Sequence, residues 1–242
     1  MDALSNARIT EEIIGEGVAS FTLPKAKNKQ SGVSVEYVHD PKKRWFVLRA
    51  LYGKEDKAAD MLIEAGHYAY IAKQYEDRIV NGRRRRGLKN LIPNILFTYI
   101  EKDEITSLLS RKVDAPSPLP KLAQTATFYY NHFTTENGKN PPLQVHERQM
   151  MEFIKITGTY DEKMVFVNDN KIVHIKNDDL VYVNAGKFKG CMGQVVRVAG
   201  QQRVGLRLAE LGWVATSYVP TAFLEVIPKE LYDSHIEALA KQ

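Results

Sequence analysis

The sequence predicts an α+β protein built from two units, an α/β sandwich followed by a small β-barrel. Three observations carry that expectation. Strand-like and helix-like segments alternate from Arg44 to Ile156, the pattern of one sheet with helices packed on it. Two strand-like runs, Leu180-Val181-Tyr182-Val183 and Gln194 to Val198, then flank a loop holding Gly186, Gly190, Gly193 and one aromatic, Phe188. Three more runs, Val204 to Leu208, Val214 to Val219 and Phe223 to Val226, complete a set of about five strands, enough for a small barrel.

The elements follow in order. Met1 to Lys43 is an extension with little periodicity, apart from a short strand candidate at Val33 to Val38. Arg44 to Ala50 is a strand by its aromatic and branched content. A helix then runs to Gly66, with Ala58, Met61, Leu62 and Ala65 on one face and Glu55 and Asp56 in the first turn, where the helix dipole favours acids. Tyr68 to Ala72 and Leu91 to Glu101 are the arms of a hairpin capped by the charged segment Lys73 to Lys89. Glu104 to Lys112 is helical, and Asp114 to Pro120, with Pro116, Pro118 and Pro120, is a loop. Thr127 to Phe133 is an aromatic strand, Gly138 to Pro142 a turn, and Val145 to Ile156 the closing helix. This β-α-β-β-α-β-α order predicts helices on one sheet face, with the other left to solvent or a partner. The expected boundaries are therefore an extension (1–43), the sandwich (44–156), a linker (157–176), the barrel (177–228) and a short amphipathic C-terminal helix (229–242). Within the linker, Met164 to Val167 and Ile172 to Ile175 could pair as a small hairpin around Asn168-Asp169-Asn170.

Composition narrows the function. Of 242 residues, 44% are apolar and 26% charged, ordinary values for a soluble globular chain. No apolar run approaches the roughly 18 residues needed to span a bilayer. Met1 to Ser20 carries Glu11, Glu12 and Glu16 and lacks a signal peptide's basic start, so a cytoplasmic location and no membrane partner are expected. The single Cys191 excludes an internal disulfide framework and reads as a small buried filler. A net charge of +5 favours polyanionic partners.

Residues with catalytic or metal-binding potential are scattered. The six histidines lie singly, none with a second His or Cys at metal-ligand spacing. Gly82 to Gly87 has Walker-like glycine spacing but is followed by Leu88-Lys89, so no phosphate loop forms there. The chain reads as a binding protein without catalytic residues, metal or cofactor. Two features could bind. Arg78, Arg83, Arg84, Arg85, Arg86 and Lys89 cluster at the expected hairpin tip, where they can hold phosphates; a merely solvated tip has the same composition. Ile95 and Phe97 alternate along their strand beside Phe128 and Tyr130 on the next, so they line either an exposed interface patch or plain core.

The pattern V-x-V-x-x-G-x-F-x-G-x-x-G-x-V, from Val181 to Val195, closely resembles the KOW motif of NusG-type transcription factors and several ribosomal proteins. Trp45-Phe46-Val47 with Gly53-x-Glu55-x-Lys57 resembles the opening of the NusG N-terminal domain. Leu91-Ile92-Pro93-Asn94-Ile95-Leu96-Phe97 resembles that family's signature strand, with Asn94 as in the specialised paralogue RfaH. Gln149-Met150 with Phe153 is similar to the closing helix of UpxY-type antiterminators linked to capsular polysaccharide operons. The likeness runs from Arg44 to Ile227 and implies a NusG-type sandwich plus an SH3-like KOW barrel. It further implies a specialised elongation and antitermination factor that docks an apolar sheet face on the clamp of bacterial RNA polymerase. By position, Ile95 and Phe97 fall on the docking strand, Tyr130 on its neighbour, and Arg83 to Arg86 near DNA at the transcription bubble. The KOW unit would recruit a ribosomal protein or a termination factor. Ile92 and Ile95 depart from the family's usual aromatics, and the extension and proline-rich insert have no counterpart in plain NusG. The alternative is a KOW protein that binds structured RNA or the ribosome.

Overall fold

The computed structural model describes residues 22–110, 122–167, 173–174 and 180–228. The proline-rich segment and the expected C-terminal helix lie outside the described residues. The extension contributes β1 (Ala26–Lys27) and β2 (Ser34–Val35), a small antiparallel pair. The first unit continues with β3 (Lys43–Ala50), α1 (Glu55–Glu64), β4 (Tyr68–Tyr70), β5 (Lys73–Val80), β6 (Arg83–Asn90), β7 (Ile95–Glu101), α2 (Lys102–Leu108), β8 (Ala126–Phe128), β9 (Gln144–Val145) and α3 (Glu147–Thr157). Its sheet runs β4-β7-β3-β8, with β9 also on β3, while β5 and β6 pair only with each other.

Strand β3 takes the centre because Trp45, Phe46, Val47 and Leu48 are apolar toward both faces, and all four are buried. Its antiparallel register with β7 sets Trp45 opposite Tyr99 and Val47 opposite Phe97, so these share one face with Tyr68 and Tyr70 of β4. Phe46, Leu48, Leu96 and Thr98 point the other way. Phe153 of α3 meets Phe97 at 5.3 Å and Tyr70 at 6.2 Å between ring centroids, which seats α3 on the first face. Helix α1 packs against β3, β4 and β7 over the second, where Phe46, Leu48 and Leu96 have no exposure.

The described sheet therefore has helices on both faces, contrary to the one-sided packing expected from sequence. The physical reason is the apolar content of α3: Met150, Phe153, Ile154 and Ile156 each gain about 1.5–3 kcal/mol on burial, with Phe153 received by the aromatic face beside Phe97 and the helix packed as well against Gln201–Leu208 of the second unit. Helix α1 is also turned from its expected orientation. Ala58, Ala59, Leu62 and Ile63 are buried and Ala65 is exposed. Its Glu55 is buried and accepts the Asn94 N–H at 2.7 Å. That bond pins Asn94 in a left-handed conformation at the entrance to β7.

The second unit comprises β10 (Val165–Val167), β11 (Val173–His174), β12 (Leu180–Val183), β13 (Met192–Val198), β14 (Gln201–Leu208), β15 (Gly212–Tyr218) and β16 (Leu224–Ile227). They form one antiparallel sheet in the order β10-β15-β14-β13-β12-β16, with β11 added beside β13. Among the described residues β10 and β16, the two ends of that path, do not pair. Among the described residues, β10 and β11 do not pair with each other as the hairpin expected around Asn168 to Asn170 would require. Val165–Val167 pairs with Trp213 to Ala215, and Val173–His174 with Val196 and Arg197, because longer strands of the main sheet offer each segment a complete ladder edge.

The two units share one apolar cluster, from Trp45 and Phe97 through Met164 to Val204 and Val214. Polar contacts join them as well. Glu152 of α3 accepts the Met192 N–H at 3.1 Å, and the Arg203 guanidinium ties down the connecting segment by donating to the Lys163 carbonyl at 2.7 Å.

Candidate nucleic-acid interface and docking residues

Strands β5 and β6 make a two-stranded ribbon turning at Asn81 and Gly82, whose φ values of 52° and 72° fit a two-residue hairpin turn. Arg83 to Arg86 do not cluster at the tip, as the sequence suggested. They run down β6, and since successive side chains alternate, Arg83 and Arg85 share one face while Arg84 and Arg86 share the other. Lys89 joins Arg83 and Arg85, and Arg78, paired directly with Arg85, joins them from β5.

The two faces differ in how their charges are held. On the Arg84 side, Asp77 accepts from Arg84 at 2.5 Å, and this bond raises the guanidinium's pKa. Arg86 lies 4.5 Å from the centroid of the Tyr75 ring and 3.5 Å from Glu162. Lys73, on the same side, reaches Asp56 at 2.5 Å. On the other face Glu76 accepts from both Lys89 and Arg78, and these bonds hold its carboxyl below the usual glutamate range. Arg83 and Arg85 have no ion-pair partner among the described residues. Tyr75, Asp77 and Glu162 were not among the expected site residues. The Asn81-Gly82 turn signal could have located Tyr75 and Asp77 by counting register outward, whereas nothing local to the ribbon marks Glu162.

The three expected docking residues do not form one patch. Phe97 has 0% exposure and Ile95 6%, both on the face beneath α3. Tyr130 is 42% exposed and belongs to the opposite side: its ring meets Phe128 at 6.1 Å, and Phe128 meets Phe46 at 6.0 Å. Beyond Phe128 the expected aromatic strand dissolves into a loop, held by the bridge between Tyr130 and Pro142.

In the glycine loop of the second unit Phe188 is buried as an anchor. Gly190 adopts a φ of 88°, which lets its N–H donate to the Val183 carbonyl at 2.8 Å while the Val183 N–H donates to Cys191 at 3.0 Å. Gly186 has a φ of 80°. Gly193 acts by close approach instead, since a Cβ there would lie 2.5 Å from the Gly205 carbonyl oxygen. Cys191 is buried, and burial pushes its thiol up to about 12. Among the described residues no cluster of His, Cys, Asp or Glu could hold a metal, and no helix is long and apolar enough to cross a membrane.

The first unit is thus an antiparallel sheet with packed helices and a separate basic ribbon, followed by an all-β unit. Residues 43–154 match the family model described as transcription termination factor NusG. Among solved structures, one titled "Domain interaction in Thermotoga maritima NusG" is similar at a TM-score of 0.33 and 15% identity, covering 77% of this chain and 98% of that one. No curated protein matches.

Proposed function

We propose that the chain is a transcription elongation factor that binds the clamp region of bacterial RNA polymerase through its NusG-family domain and reduces pausing or termination on particular operons, such as polysaccharide loci. The observation that carries this reading is the union, within residues 43–154, of a match to the NusG family model and an exposed arginine ribbon. In this scheme the ribbon touches nucleic acid near the transcription bubble through its arginines and Lys89. In the same scheme the second unit acts as an SH3-like KOW domain anchored by Phe188 and recruits a ribosomal protein or termination factor. Tyr130, partly exposed, is open to a partner. Ile95 and Phe97 reach one only when Phe153 and the rest of α3 move off the sheet. No cofactor or hydrolytic step is invoked.

Single-round transcription by bacterial polymerase on a template with the cognate leader tests the reading. Longer transcripts without nucleotide hydrolysis by the factor support it. Unchanged pausing and read-through, together with co-purification of ribosomal RNA instead of polymerase subunits, would replace it with the ribosome-binding alternative.

A further inference from the structure

We infer that the β5–β6 ribbon grips the sugar-phosphate backbone of duplex DNA with one face only, the face that carries Arg78, Arg83, Arg85 and Lys89. This rests on the reading of the ribbon as the nucleic-acid contact and specifies how that contact is made.

Charge partition is the first support. Four cations on this face, Arg78, Arg83, Arg85 and Lys89, stand against the single carboxylate of Glu76, a surplus of three. On the opposite face Lys73, Arg84 and Arg86 meet Asp56, Asp77 and Glu162, leaving no surplus. A polyanion gains most where cations are not already neutralised, because each phosphate contact releases condensed counterions. The base of the second face also meets the rest of the protein, since Arg86 reaches Glu162, the Tyr75 ring meets Tyr160 at 6.1 Å, and the Tyr75 N–H donates to the Tyr160 carbonyl at 3.1 Å, while Arg84 at its outer end is exposed but held by Asp77. On the Arg83 face, Arg83 and Arg85 are exposed and have no ion-pair partner among the described residues.

Spacing is the second support. Arg83 and Arg85, two residues apart on one strand, project about 7 Å from each other. Arg78, directly opposite Arg85, adds a third guanidinium about 5 Å across the ladder. Three cations on a rigid ribbon can engage neighbouring phosphates together.

The kind of nucleic acid follows from what this face lacks. The ribbon's aromatic, Tyr75, sits on the other face under Arg86, so the gripping face offers no ring on which bases of a single strand could stack. A two-stranded ribbon fits the roughly 12 Å major groove of B-form DNA, whereas the deep, narrow major groove of A-form RNA excludes it. The contact should be strongly salt-dependent and indifferent to sequence, as backbone contacts are.

Two full-length double variants of equal charge change test the inference, Arg83→Ser with Arg85→Ser and Arg84→Ser with Arg86→Ser. Each is titrated by fluorescence anisotropy with a mixed-sequence DNA duplex, the matching single strand and the matching RNA duplex, at about 50–200 mM salt, after circular dichroism confirms folding. Losing two phosphate contacts should lower the slope of log affinity against log salt by about 1.8 for the first pair, with at least a tenfold loss of duplex affinity near 0.1 M salt. The second pair should lose less than about threefold with its slope unchanged. Equal losses for both pairs, or tighter binding of the single strand or the RNA duplex, would overturn the inference while leaving the ribbon's nucleic-acid role standing. No binding by the parent protein at the lowest salt would overturn both.

Discussion

Replacing Phe97 with alanine separates a core residue from a docking residue. Phe97 has no exposed surface, its ring lies 5.3 Å from Phe153, and its direct cross-strand partners are Val47 on one side and Tyr70 on the other. Truncating a fully buried phenylalanine removes its transfer energy and leaves a cavity, at a cost of about 3–5 kcal/mol. Domains of this size are stable by about 5–15 kcal/mol, so the variant should unfold at clearly lower urea. Phe97→Asp should not fold at all, because a buried carboxylate there has no partner. The same change at Tyr130, which is half exposed, should cost less than about 1 kcal/mol. Urea unfolding followed by circular dichroism gives the free energies, and one tryptophan in each unit, Trp45 and Trp213, reports which unit melts. A cost below about 1 kcal/mol for Phe97→Ala would refute the packing argument and mean that α3 does not rest on the sheet in solution. The expected loss also means that failed polymerase binding by a Phe97 variant identifies a docking residue only if the variant is shown to be folded.

Further outcomes follow from other contacts. Gly193→Ala should destabilise the second unit by about 1–3 kcal/mol in thermal unfolding, because the new Cβ meets the Gly205 carbonyl at 2.5 Å and Val204 at 2.8 Å, whereas Gly87→Ala, with open space around it, should shift the midpoint little. Cys191, buried and with its thiol raised to about 12, should react with a thiol reagent at pH 8 only after unfolding, releasing one equivalent. Burial lowers the pKa of His67 despite Glu104 at 3.2 Å, so the unfolded chain binds the proton more readily than the folded one. Stability should therefore fall as pH drops from 7 toward 5, and His67→Gln should flatten that slope; an unchanged slope would show that His67 is not the group responsible.

Strand positions could be read from the sequence wherever composition and geometry coincide. Trp45 to Leu48 is apolar at every position and became the central strand, and the runs from Leu180, Val204 and Val214 all lie in strands of the second sheet. Which sheet face a helix takes could not be read, because the amphipathic pattern of α3 says that Phe153 must be covered but not by what. Phe97, left open by the sequence between interface patch and core, is buried beneath α3 for that reason. Among the loop glycines, Gly186 and Gly190 answer a local need for positive φ, whereas Gly193 answers to Gly205, a neighbour supplied by the β13–β14 register.

Charge was the least legible property, because its meaning depends on pairing across space. A net charge of +5 over the whole chain identifies no site. Four consecutive arginines look like one cluster in the sequence, yet the two-residue period of a strand divides them. Asp77 then takes Arg84 from across the ribbon, and Glu162 takes Arg86 from beyond α3. What remains for a partner is the Arg83 and Arg85 pair, flanked by Arg78 and Lys89. Neither the turn nor the distant acid alone would single out that pair. The Asn81-Gly82 turn determines which arginines share a face, and the acids determine which of the two faces keeps its charge.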